Sequence, residues 1–402
     1  MIYLVVLFLL VILSFYYDIN EKTENREFWY RFMLVVFILV AGLRWRIGID
    51  TPPYLYRFYH ECPTIGRLSI EDFSIGKDPF FVLINSIVKT TGGKFYMVQL
   101  IQATIVNVLI FRFIKKYSKY IFTCLFFYAI TCYTTYNMEI MRGSLSIVIC
   151  LYANDYILDK KWIKGYLLYF LALMFHAQTL VMFVLPTMYF LRFNKVGIVF
   201  LCGAFVLGIV IMEILGDYLF LLEDNESVSR KVSGYSRSDK YGGQIGNFNF
   251  YIVQIFPIMI YVLASFLFVK TRYPNSSLLR FEPIIVLGVM FILIRVNLEI
   301  AYRYVDYFKI NFVIFFSEFF VKLINGARTI RKEVAVFRSY VVFVPFILVF
   351  LVYHYMISEN YSLRYTPYSS VIDKSVYVKR EKMYQELNAE KDFYPTANRN
   401  EY

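Results

Sequence analysis

The chain has 402 residues, 59% of them hydrophobic and 20% aromatic, with only 18% charged and a formal net charge of +12. A composition this apolar excludes a soluble globule, and the length of the apolar runs excludes barrel strands of about ten alternating residues, leaving an all-α polytopic membrane protein. The surplus Lys and Arg fall mainly in short loops between the apolar runs, which reads as positive-inside topology and not as a nucleic-acid surface.

The first run, 2–17, lacks a basic leader and a small-residue cleavage site, so it is expected to be a retained helix. A polar link at 18–27, DINEKTENRE, leads to a second span at 28–43. The segment 44–94 is mixed and broken by Pro52, Pro53, Pro63, Pro79 and the Gly92-Gly93 pair. It predicts an outer loop carrying a short apolar helix near 80–88. Spans follow at 95–113, 121–135 and 140–158, with Arg112, Lys115, Lys116 and Lys119 fixing the cytoplasmic side of the first two. After Lys160 and Lys161 the chain re-enters at 166–175, reaches His176 and returns through 179–190, a re-entrant helical pair. Spans at 196–221, 250–269, 283–298, 304–324 and 340–356 bring the total to about ten, with both termini outside. A second outer loop, 223–249, is rich in Ser and Gly and suits either a mobile cover over a site or a solvated connector. Residues 1–357 thus read as one transmembrane domain, and 358–402 as a polar, Tyr-rich, weakly structured outer tail. The five cysteines lack CxxC spacing, so neither a disulfide framework nor a zinc site is indicated, and no cofactor motif is present.

Ionisable residues within or beside apolar runs cost on the order of 3 kcal/mol each, which makes them functional candidates. Arg44 and Arg46 stand at the outer end of the second span, followed by Asp50, Thr51 and Tyr54. Cations there also complement the helix dipole, so the pair has a purely structural reading as well. Arg142 opens the helix at 140–158, where the dipole is already positive, and its placement calls for an anion. That anion is Glu139, three residues earlier, or a phosphate, which arginine binds in bidentate fashion. Arg295, Glu299 and Arg303, at i, i+4 and i+8, would stack as a ladder if one helix carries them all. His176, at the turn of the re-entrant pair, is a candidate base, although a lone histidine in a span is as often a satisfied core group.

Five short segments resemble EpsG-type, Wzy-like bacterial polysaccharide polymerases: RxRIGIDTxxY at 44–54, KDPFF at 77–81, NxEIMRGSLS around Arg142, ALMFHAQTLV at 172–181 and RYVDYF at 303–308. The family usually carries Arg-Gln where this chain has Arg142 and Gly143. The resemblance implies a GT-C-like glycosyltransferase of the cytoplasmic (inner) membrane, acting on its periplasmic face. Its donor and acceptor would be oligosaccharides on undecaprenyl diphosphate, joined into O-antigen, capsule or exopolysaccharide, with a chain-length regulator and a flippase as partners. On that reading Arg142 and Arg303 bind diphosphate with help from Arg44 or Arg46, Tyr54, Arg295 and Glu299 line the substrate, and His176, Asp50 or Glu139 handles the acceptor proton. Rival readings are a flippase of the lipid-linked unit, an O-antigen ligase-like transferase and a membrane sugar O-acetyltransferase. A flippase should show two related halves, which are not seen, and the acetyltransferase needs a catalytic histidine near the cytoplasmic side.

Overall fold

The computed structural model describes residues 2–221, 270, 277–297, 301–327 and 363–388. Among them the structure is helical throughout, and the β pairing present is an isolated bridge between Arg44 and Ser370. The predicted loop 223–249 and the spans 250–269 and 340–356 lie outside the described residues.

In chain order the helices are α1 (Ile2–Leu13), α2 (Arg26–Gly42), α3 (Thr51–Tyr56), α4 (Pro79–Thr90), α5 (Phe95–Tyr117), α6 (Ile121–Tyr128), α7 (Met141–Leu158), α8 (Trp162–Leu173) and α9 (Lys195–Leu221). Beyond these come Glu282–Asn297, Tyr302–Val305, Lys309–Ala327 and Val378–Asn388. Seven predicted spans and the short helix near 80–88 therefore coincide with helices to within a few residues. By length and apolarity, Ile2–Ile19 and Phe95–Tyr117 are the described helices able to cross a membrane alone, and shorter apolar helices such as Ile121–Tyr133 and Trp162–Leu173 accompany them. The run expected as one helix over 304–324 is divided instead. Tyr307 and Phe308 donate to the carbonyls three residues back, at 3.1 and 3.0 Å, and this tight turn separates Tyr302–Val305 from Lys309–Ala327. Among the described residues four π-helical turns interrupt the α-helical pattern, at Ser14–Ile19, Arg57–Glu61, Ala129–Tyr133 and Thr135–Glu139.

The chain forms two compact units, one of Met1–Ala153, Ile163–Leu180 and Ser317–Tyr402, the other of Asn154–Trp162 and Val181–Phe316. In the first, α2 and α5 pack at close range because Gly42 faces Leu100; a Cβ added at Gly42 would lie 2.9 Å from the Leu100 Cα. Apolar packing is joined by a buried polar seam on α5. Gln102 donates to the Tyr136 carbonyl (3.0 Å) and Ser144 Oγ (2.8 Å), and Asn107 donates to Asn137 Oδ1 (2.7 Å), whose amide in turn donates to the Tyr128 hydroxyl (2.9 Å). Between apolar helices such bonds fix register, because an unpaired amide there is costly.

Each unit gathers the residues that the charge pattern assigns to the cytoplasmic side. In the first, Arg26 meets Asp18 (3.1 Å) and the Lys119 carbonyl (2.5 Å), and Lys115 meets Glu27 (2.6 Å). In the second, Arg280 binds Asp155 (2.6 Å) and Asp159, while Glu282 accepts from the Phe193 N–H (2.8 Å) and lies 3.6 Å from Arg192 and 3.5 Å from Lys270.

The expectation of a weakly structured tail fails for 363–388. Trp45 N–H donates to the Ser369 carbonyl (2.8 Å), Val371 N–H to the Leu43 carbonyl (2.8 Å) and Gly48 N–H to the Arg364 carbonyl (3.2 Å). Arg46 grips both oxygens of Glu381, from Nε at 2.8 Å and from Nη2 at 2.6 Å. The tail is held by backbone bonds and charge pairing, neither of which leaves an apolar period in sequence. Both side chains of the Arg46–Glu381 pair are largely buried, at 12% and 16% exposure, so its loss should cost about 1–3 kcal/mol. Glu381→Gln is therefore expected to speed proteolytic release of the tail from the full-length protein in membranes by roughly ten-fold. An unchanged rate would mean that the backbone bonds hold the tail without the pair.

Candidate functional site

Four segments of the first unit converge beside the N-terminus of α7: the loop before α4, the α3 turn, the start of α7 and the tip that follows α8. Their hub is Asp78. It precedes Pro79, the first residue of α4, and adopts a left-handed backbone with φ of 55°. An Asp before Pro at a helix start ordinarily caps the helix with its carboxylate. Here its carbonyl accepts from Phe81 (2.9 Å) and Val82 (3.2 Å), while the side chain makes no capping bond. Its carboxylate, 4% exposed, turns to α7 and the α8 tip instead. Oδ2 accepts from Arg142 Nη1; Oδ1 accepts from the Ala177 N–H (3.3 Å) and lies 3.6 Å from His176 Nδ1. A non-glycine residue in that backbone region persists where the surroundings over-determine it, and such residues cluster at functional sites.

The bonds around Asp78 brace the α8 tip against the rest. Phe80 N–H donates to the Met174 carbonyl (3.1 Å), the Phe80 and Phe175 rings meet edge to face at 5.5 Å, and the Ser146 and Thr179 hydroxyls bond to each other. The imidazole of His176 packs over Gly143, where an added Cβ would stand 3.6 Å from Cδ2. Its Nδ1 is buried without a hydrogen-bond partner among the described residues, yet 22% of the side chain remains exposed.

Arg142 is held on two sides. Nε donates to the Tyr54 hydroxyl (3.1 Å), the guanidinium lies 5.4 Å from the centre of the Tyr54 ring, and Nη1 meets Asp78. Burial pushes the Tyr54 phenol above its usual range, opposed by the neighbouring Arg142 charge, so the hydroxyl remains protonated. Arg142 and Tyr54 form part of the wall of a cleft of about 380 Å³. Phe58, Phe81 and Asn85 contribute further wall, and Arg57 and Lys77 stand there paired with Glu61 (3.8 Å) and Asp72 (3.5 Å). Long, half-exposed pairs of this kind are worth little, so an incoming anion would displace them at small cost. Lys89 donates to the carbonyls of Phe58 (3.0 Å), Tyr59 (3.0 Å) and Cys62 (2.7 Å), fixing the π-helical turn that forms one side.

The other expected site residues are distributed differently. Glu139 is not the partner of Arg142. It accepts from Arg364 (3.3 Å), and burial raises its pKa against the lowering effect of that arginine. Asp50 is half-buried at the start of α3, and its carbonyl accepts from Tyr54 N–H (3.2 Å). Arg46 belongs to the tail contact. Arg44 is wholly buried; it donates to the Ala41 carbonyl (2.6 Å), its Nε and Nη2 have no partner among the described residues, and burial pushes its pKa down to about 10. It still carries its charge at neutral pH and is not among the residues lining the cleft of Arg142. Arg303 is half-buried on the helix Tyr302–Val305 of the second unit. Arg295 belongs to the helix Glu282–Asn297, and Glu299 lies outside the described residues, so the Arg295–Glu299–Arg303 ladder stays an expectation.

Asp78 is the residue that the sequence reading passed over. Its signal was present in KDPFF, an acid between a lysine and a proline at the mouth of an apolar helix, but an ordinary helix cap explains that pattern equally well.

A sequence profile of the EpsG family matches residues 27–370, and the chain belongs to that family. The match takes in Tyr54, Asp78, Arg142 and His176, and stops before the tail helix Val378–Asn388. No curated protein and no solved structure matches the chain. Membership places it among membrane proteins of polysaccharide biosynthesis.

Proposed function

We propose that this EpsG-family protein joins undecaprenyl-diphosphate-linked oligosaccharide repeat units into a surface polysaccharide, by glycosyl transfer at the outer face of the cytoplasmic membrane. The observation that carries the reading is Arg142, a guanidinium at the start of an apolar helix, fixed by Asp78 and Tyr54 on the wall of the cleft. When the bond between the donor sugar and its lipid diphosphate breaks, negative charge develops on the leaving oxygen, and pre-positioned donors stabilise it most. Nε and Nη1 of Arg142 are engaged by the protein, and Nη2 has no partner among the described residues. Arg57 and Lys77 can add to that charge once a phosphate displaces their rim carboxylates, and Arg303 remains a candidate second diphosphate ligand. Of the three candidates for the acceptor proton, Glu139 is engaged by Arg364, Asp50 is half-buried at the start of α3, and His176 stands beside Asp78 with part of its side chain exposed. Tyr54, Phe58 and Phe81 supply aromatic wall against which sugar faces can lie. The ten-span GT-C-like arrangement, the periplasmic site, and the flippase and chain-length regulator as partners belong to the same proposal.

Deletion of the gene in its host tests the reading, with the surface glycan resolved as a size ladder. Collapse of the ladder to a single repeat unit on its normal acceptor is the expected result, because joining alone has then failed. Accumulation of lipid-linked units inside, with none at the surface, would make the protein a flippase.

A further inference from the structure

Asp78 bonds on two sides at once. One oxygen holds Arg142 on the cleft wall, and the other faces His176, which is not among the residues lining that cleft. The buried ring atom of His176 is Nδ1, and the anion that faces it among the described residues is this carboxylate at 3.6 Å. An N–H at that atom can turn towards this carboxylate, and the 3.6 Å separation must shorten to hydrogen-bond length as the pair acts. If Nδ1 carries the proton, Nε2 is the ring's acceptor atom.

We propose that Asp78 is the positioning residue of the centre, its carboxylate fixing Arg142 for the departing diphosphate and the His176 imidazole with Nδ1–H inward, so that Nε2 receives the acceptor proton. This rests on the polymerase reading above. In the step, the acceptor hydroxyl gives its proton to His176 Nε2 while its oxygen lone pair forms the bond to the anomeric carbon of the donor. The bond from that carbon to the diphosphate oxygen breaks, its electron pair stays on the diphosphate, and Arg142 meets the charge. The imidazolium is stabilised by Asp78 until its proton passes to water. Donor diphosphate and acceptor hydroxyl are thereby handled on opposite sides of one carboxylate, which couples the two groups through a single buried anion.

The test uses the full-length protein in detergent or liposomes, with lipid-linked repeat units extracted from host cells lacking the gene. Asp78→Asn is expected to lower kcat by about 10²-fold or more with KM changed less than about three-fold. Combined with His176→Ala, Asp78→Asn should cost markedly less than it does alone, since its part through His176 is already gone and only its hold on Arg142 remains. A loss from Asp78→Asn as large beside His176→Ala as it is alone, or a kcat within about three-fold of the parent, would overturn the role. Should Asp78→Asn not accumulate, His176→Asn carries the test, because its amide N–H takes the place of Nδ1–H and keeps the inward bond while lacking a base. It is expected to accumulate normally with turnover down about 10²-fold or more; near-normal turnover would overturn the proposal. If the parent protein itself makes no polymer from these units, the polymerase reading falls instead, and the two failures are told apart by that control.

Discussion

Arg142→Lys is expected to abolish the polymer ladder while the protein accumulates in membranes at the parental level. Lysine keeps the positive charge beside Asp78, whose carboxylate is 4% exposed, so no buried anion is left without a partner. What it loses is the fork. The Nε bond to the Tyr54 hydroxyl at 3.1 Å disappears, and with it the second guanidinium face on the cleft. An ammonium is a compact point charge on a flexible stem and cannot hold Asp78, Tyr54 and a phosphate oxygen in one plane. Removing one pre-positioned donor from a developing anion costs about 10²–10³ in turnover, enough to erase a ladder on a gel. Arg142→Ala is the weaker experiment. It leaves the Asp78 carboxylate buried and alone, which costs about 3–5 kcal/mol and confounds lost catalysis with lost protein. A ladder of normal length from Arg142→Lys would mean that charge alone suffices at this position, and that the phosphate fork lies elsewhere.

The same pair of residues marks how far the sequence could be read. That a cation at the start of an apolar helix requires an anion followed from the dipole alone, and the helix, Met141–Leu158, begins where the charges placed it. Which anion did not follow. Glu139 was the near candidate, but the π-helical turn Thr135–Glu139 sends it to Arg364, and the partner of Arg142 is 64 residues away in sequence. Pairings of that kind are set by how the outer loop folds over the helix ends, and no local period records them. Long apolar runs between charge clusters were legible for the opposite reason: burial and loop charge act on each segment separately. The order of residues 363–388 comes from Arg46, Glu381 and strand-like backbone bonds to 43–48, in a stretch whose composition reads as a solvated tail. Arg44 and Arg46 read alike in sequence as outer cations, yet one residue between them separates a buried side chain from a salt bridge.

Gly48→Ala is expected to be the most damaging small substitution in the outer segment. Gly48 has φ of 95°, a conformation that alanine adopts only under strain. It also lies against the π-helical turn that leads into α7: a Cβ there would stand 2.0 Å from the Met138 carbonyl oxygen and 2.9 Å from its carbon. Both atoms are backbone, so no side-chain rotation relieves the overlap, and Met138 is itself wholly buried. Two hydrogen bonds pin the glycine on its other sides, its N–H to the Arg364 carbonyl (3.2 Å) and its carbonyl from Thr51 N–H (3.1 Å). The segment must therefore move away from Met138, taking with it the start of α3 and hence Tyr54, the residue that seats Arg142. Strain and overpacking together should cost on the order of 3–5 kcal/mol. In purified full-length protein this should appear as a melting temperature lowered by roughly 5 °C or more. Gly66→Ala serves as the control, since nothing lies within 4 Å of a Cβ at Gly66 and its effect should stay within about 0.5 kcal/mol. Parental stability in Gly48→Ala would refute the close approach of the outer segment to Met138, and with it the account of how Tyr54 is brought to Arg142.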